Sequence, residues 1–299
     1  MEESKLPMSW LHYLNYHHPL VQRTIPSWMR NCWWKVAIYG GALAGSGLMA
    51  FVALGLYLLN CGRLNRSPDS FACQELAFLS GLIAVVVMYG YGSLFEMSAT
   101  LFISLKGALL IAGERERKTW DLLRLIPLTA EELLGYKCWG AYLSVIDLLH
   151  AANLVRLIAL GGSAVMMGVG IDSLPSSVNQ SLIDLSKHWR LISVAPLALV
   201  WFFVSPYWRA LFDLCVAVAI SSLTRSRGIA IALVIGAQVV LMPTLQIILF
   251  PMILRLIGIS TQNEAIIALF AVGGITLGKD LIIMLLSLVI AVRGITSVE

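Results

Sequence analysis

The chain has 299 residues, of which 59% are hydrophobic and 13% charged, with a mean hydropathy of +0.82. A soluble domain of this length needs far more polar surface to cover its core, so composition excludes one and indicates a polytopic, all-α membrane protein. The net charge of +4 carries no nucleic-acid signature and gains meaning only through its distribution along the chain.

Residues 1–35 mix Glu2, Glu3 and Lys5 with prolines and aromatics and lack the apolar core of a cleavable leader. Trp10, Tyr13, Tyr16, Trp28, Trp33 and Trp34 stand there among His12, His17, His18, Arg23 and Arg30. Rings mixed with basic groups are the composition of an interfacial helix at headgroup level, which then feeds the first span. Span one is expected at about 36–59, followed by an outer loop, 60–75, that holds Cys61 and Cys73. A disulfide between them and two free thiols are both open readings. Span two begins near Leu76 and stays helix-compatible to about Ala112, roughly 55 Å at 1.5 Å per residue, against a hydrocarbon core of about 30 Å. Its far end, Glu96 to Lys106, is expected to project out of the membrane.

Gly113 to Lys137 is the charged island of the chain: GERERKTWDLLRLIPLTAEELLGYK. Five ionised side chains in a row, Glu114 to Lys118, would cost roughly 12–17 kcal/mol at bilayer depth, so the run is expected in water. The apolar pattern of Trp120, Leu122, Leu123, Leu125 and Ile126 predicts a short helix that Pro127 ends. Thr129 is the expected N-cap of a second short helix, with Glu131 and Glu132 in its first turn. The result is an amphipathic elbow, read either as a surface-lying connector or as a docking element for a partner.

Span three is expected at about 138–166, span four at about 191–222 with a bend at Pro206, and span five at about 229–257, after the turn 224–228. Residues 264–293 allow two readings: one long helix with Lys279 and Asp280 inside it, or a re-entrant 264–278 followed by a span at about 280–295. The second keeps both charges out of the interior and is preferred. This makes six spans in one transmembrane domain, 1–299. With both termini, residues 106–137 and the 224–228 turn on one side, that side holds 13 of the 21 Lys and Arg residues. The positive-inside bias makes it the cytoplasmic one.

The island resembles the hallmark of ABC-2 type transporter permeases, approximately E-x-E-x-G-T-L-E-x-L-L-x-x-P-L-S-x-x-E-I-x-x-G-K between spans two and three. Glu114, Glu116, Thr119, Asp121, Leu122, Leu123, Pro127, Leu128, Thr129, Glu132 and Gly135 fall on that pattern, some by conservative exchange. Lys118 stands where glycine is usual, Trp120 where leucine is, and Tyr136 is inserted before the lysine. Asn15 to Arg23 and Ser221 to Arg227 resemble, more weakly, the family's N-terminal helix and its fourth-span exit.

The resemblance implies a permease subunit, an exporter by the habit of the family, in a bacterial cytoplasmic membrane. It implies pairing with a second permease copy or a related permease, and coupling to a separate ATP-binding cassette subunit. Glu114, Arg115, Glu116, Thr119, Asp121, Arg124, Pro127 and Leu128 are the residues expected to contact that ATPase or to set the elbow's geometry. No catalytic residue, metal or cofactor is expected on this chain, since ATP and magnesium would bind the partner. The one phosphate-loop look-alike, Gly273 to Asp280, is a residue short and puts a carboxylate where a magnesium-binding hydroxyl belongs.

Polar residues inside the spans are functional candidates by default. Glu96 has no partner in its own sequence neighbourhood. Asp147, His150, Asn153 and Arg156 recur every three residues in span three and wind round the helix. Mutual satisfaction at a helix contact, the lining of a transport pathway, and catalysis by Asp147 with His150 are the three readings. A permease-like scaffold in a larger membrane assembly is the rival to a transporter.

Overall fold

A computed structural model describes residues 19–26, 32–63, 71–119, 128–171, 189–241 and 265–296. All secondary structure among these residues is helical: α1 (Pro19–Thr24), α2 (Cys32–Arg63), α3 (Phe71–Glu116), α4 (Ala130–Leu143), α5 (Ile146–Ile171), α6 (Trp189–Leu223), α7 (Arg227–Gly236) with a π-helical turn (Ala237–Leu241), and α8 (Ala265–Thr296). Among the described residues, three helical segments are long and apolar enough to cross a membrane: Trp33–Val52, Ser80–Glu116 and Leu199–Leu223. They become four if the broken pair Glu131–Leu143 and Ile146–Gly162 counts as one span. Such helices are the signature of an integral membrane protein.

α3 follows from an apolar stretch without proline. Its 46 residues run about 69 Å at 1.5 Å per residue. Its far end is packed in protein. Ile103, Ala108, Ile111 and Ala112 are fully buried. Two boundaries differ from expectation. The helix that starts at Ala130 does not stop at Lys137 but runs to Leu143, and the chain breaks at Ser144–Val145 instead. The charge of Lys137 suggested a water boundary, yet its ammonium is buried against Glu114 at 2.9 Å and needs no water. The expected fourth span is one helix, α6, that runs through the fully buried Pro206. The preferred re-entrant 264–278 is also overturned: α8 is one helix from Ala265 to Thr296. Lys279 and Asp280 lie inside it and neutralise each other at 3.3 Å.

The chain divides into two compact units. The first comprises Met1–Ser27, Thr100–Val145 and Tyr207–Glu299. Its core is Ala108, Ala112, Ala217, Ala230 and Val234, flanked by Ile220 and Ile231. Alanines and glycine here let backbones approach closely, as membrane helices require: a Cβ at Gly107 would lie 2.7 Å from that of Ala217. At Gly140 of α4 an added Cβ would run into Thr24 Oγ1 and stand 2.8 Å from the Val21 carbonyl, so α1 is seated on a glycine notch. Lys106 Nζ donates to the Thr24 carbonyl at 2.9 Å and holds the end of α1 from the other side.

The second unit comprises Trp28–Ala99 and Ile146–Pro206. Ile38, Ala42, Ala151 and Val155 form its core, with Trp34, Tyr39, Tyr91, Phe95 and Leu148 packed round them. The Tyr91 hydroxyl donates to the Gly41 carbonyl at 2.8 Å, and its ring meets that of Phe95 edge-on at 5.2 Å.

Candidate functional site

The first unit gathers most of the described island residues at the end of α3. The helix stops in a Schellman motif: Thr119 N–H donates to the Glu114 carbonyl at 3.0 Å and Lys118 N–H to that of Arg115 at 3.1 Å. Lys118 takes the left-handed conformation, φ 59°, that this motif reserves for glycine. A position suited to glycine thus carries a lysine, which bears the strain.

Three successive charges then close helix ends. The Glu114 carboxylate accepts from Lys137 at 2.9 Å and from the Thr119 hydroxyl. Arg115 donates at 2.7 Å to the Ser222 carbonyl and at 2.8 Å to the Gly294 carbonyl, so one guanidinium serves the C-terminal turns of both α6 and α8. Glu116 accepts from Arg227 N–H at 3.1 Å. Ser226, the N-cap of α7, makes no side-chain cap bond, and the Glu116 carboxylate takes over that place at the positive end of the helix. Arg227 answers with its guanidinium, Nε at 3.4 Å from Glu116 and a terminal nitrogen at 3.1 Å from the Gly113 carbonyl.

One turn earlier the Ser221 hydroxyl enters the backbone ladder of α3. It accepts from Ile111 N–H at 3.1 Å and Ala112 N–H at 2.9 Å, and donates to the Ala108 carbonyl at 2.7 Å. The Ala108-to-Ala112 position of the helix is therefore bridged by a side chain from α6, an arrangement that bends helices.

Farther along, Leu128 is half-buried and Thr129 opens α4 with a full capping box: its hydroxyl accepts from Glu132 N–H at 3.2 Å and its own N–H donates to the Glu132 carboxylate at 2.8 Å. Trp120, Asp121, Arg124 and Pro127 lie outside the described residues.

The second unit holds the other polar candidates. Arg156 is buried, and Glu96 finds its partner there: the carboxylate takes the Arg156 guanidinium, sixty positions on. The guanidinium also donates to the Phe202 carbonyl at 2.8 Å and lies over the Phe202 ring at 4.8 Å and the Tyr89 ring at 5.8 Å. One turn back on α5, Asn153 donates to the Phe203 carbonyl at 2.9 Å. Glu96, Asn153 and Arg156 thus tie α3, α5 and the middle of α6 together. Asp147 and His150 form a separate group. The Tyr39 hydroxyl lies 3.4 Å from Asp147 Oδ1 and 3.4 Å from His150 Nδ1, and Lys35 stands 4.0 Å from the Asp147 carboxylate. Cys61 and Cys73 fall in α2 and α3, but their side chains lie outside the described set.

Sequence reasoning missed the Glu96–Arg156 pair, the capping role of Arg115 and the insertion of Ser221. For the pair a signal existed: a lone acid and a lone arginine deep in neighbouring apolar runs. The other two act on backbone groups of distant helices and leave no trace in local pattern. The described residues are all-helical, with long apolar helices that suggest an integral membrane protein, and the described part of the charged island seals helix ends. No protein-family profile, curated protein or solved structure matches the chain.

Proposed function

We propose that the chain is the membrane-spanning subunit of an ABC-2 type transporter, an exporter driven by a separate ATP-binding cassette protein. In this reading six spans place both termini and residues 113–137 in the cytoplasm, two permease subunits pair, and the cassette seats against the elbow. The supporting observation is the construction of the α3 end. Glu114, Arg115 and Glu116 bind it to α4, α6, α7 and α8 at once, and α3 is a single helix from Phe71 to Glu116. A push on the elbow would therefore act on several helices together instead of bending a loose loop. On this reading Glu114, Arg115 and Glu116 set the elbow's geometry, and Thr119 and Leu128 are proposed to contact the ATPase.

The test is capture of the tagged protein from native membranes in mild detergent, with identification of what accompanies it. A cassette ATPase in about equal amount supports the proposal. Recovery of other membrane subunits with no cassette would overturn it in favour of a scaffold. Charge reversal of Glu114 and Glu116 together is expected to uncouple ATP hydrolysis from transport while membrane insertion continues.

A further inference from the structure

We infer that the end of α3 and the α6–α7 turn form a cationic collar that binds the phosphate headgroups of an anionic lipid layer. The island begins with both charge signs in alternation, but the fold sorts them. Glu114 is taken by Lys137, and Arg115 is spent on two carbonyls. Glu116 is half-exposed, yet paired with Arg227. Arg117 and Lys118 remain exposed, as does Arg225. The bonds from Arg227 to Glu116 and to Gly113 bring the Arg225 turn against the same tip. Three outward cations therefore share one end of the unit.

Their setting selects the occupant. Leu223, two residues before Arg225, is 68% exposed, and Ile229, four residues after it, is 57% exposed. On α7 Leu233 is exposed as well. A surface that passes from bare hydrocarbon side chains to cations within one turn matches the boundary between acyl chains and headgroups. An acidic protein would complement the charge but would leave that apolar flank uncovered. Basic residues at such a boundary attract anionic headgroups, and each contributes about a fivefold gain in affinity. The collar requires no ATPase, so this inference stands apart from the transporter reading.

The experiment uses the full-length protein in a non-ionic detergent, with its unfolding midpoint followed during titration with phosphatidylglycerol or phosphatidylcholine. Phosphatidylglycerol should stabilise the wild type at lower concentration, and added salt should erase the difference. The single variant R225Q should weaken the phosphatidylglycerol response about fivefold, and the triple variant R117Q/K118Q/R225Q by on the order of a hundredfold. Equal response of the wild type to both lipids would overturn the inference. So would an undiminished preference in R225Q and the triple variant. Loss of a co-purifying acidic protein from the triple variant, with lipid preference intact, would assign the collar to a protein partner instead.

Discussion

Replacing Glu96 by leucine strands a guanidinium that cannot discard its charge. The Arg156 and Glu96 side chains are 4% and 12% exposed, so the pair is almost wholly withdrawn from solvent. Removing one member of a buried pair costs about 3–5 kcal/mol, whereas replacing both by apolar groups is often neutral or stabilising. The reverse variant, Arg156→Leu, loses the bond to the Phe202 carbonyl, about 1 kcal/mol, and the two ring contacts, about 0.5–2 kcal/mol. Both single variants are therefore expected to lose stability, with the double variant E96L/R156L recovering most of the E96L loss. Glu96→Gln keeps an acceptor for the guanidinium and should fall between wild type and E96L. Equilibrium unfolding of the purified protein in detergent, followed by tryptophan fluorescence, gives all four values. A cost below about 1 kcal/mol for E96L, or a double variant worse than either single one, would refute the assignment of the pair as a desolvated clamp.

Lys118→Gly should stabilise the end of α3 by about 1 kcal/mol, the penalty of a left-handed non-glycine residue; slower amide exchange at Lys118 and Thr119 positions checks it. Ser221→Ala removes the hydroxyl that binds Ala108, Ile111 and Ala112 of α3. The expected cost is about 1 kcal/mol, read as a lower unfolding midpoint in detergent with faster amide exchange at Ile111 and Ala112. Gly140→Val fills the notch that seats α1 and should cost about 1–3 kcal/mol, with faster proteolysis between α1 and α2 as the readout; unchanged cleavage would mean that α1 does not depend on this contact.

The helices of this protein were largely legible from the chain itself, because hydropathy, proline placement and caps act over a few residues. The apolar lengths marked α2, α3 and α6, and Thr129 with Glu132 marked the start of α4, since a capping box closes within one turn. Charges misled wherever their partners were remote. Lys137 suggested a water boundary and Lys279–Asp280 a re-entrant break, but ion pairing at 2.9 and 3.3 Å removed the reason for both. Only tertiary structure decided that Glu96 meets Arg156, that Arg115 caps two helices and that Ser221 enters a third, because each depends on which helix lies alongside. The cost of an unpaired charge or backbone group in a dry interior is then met by whatever that neighbour presents, and no local pattern encodes the neighbour.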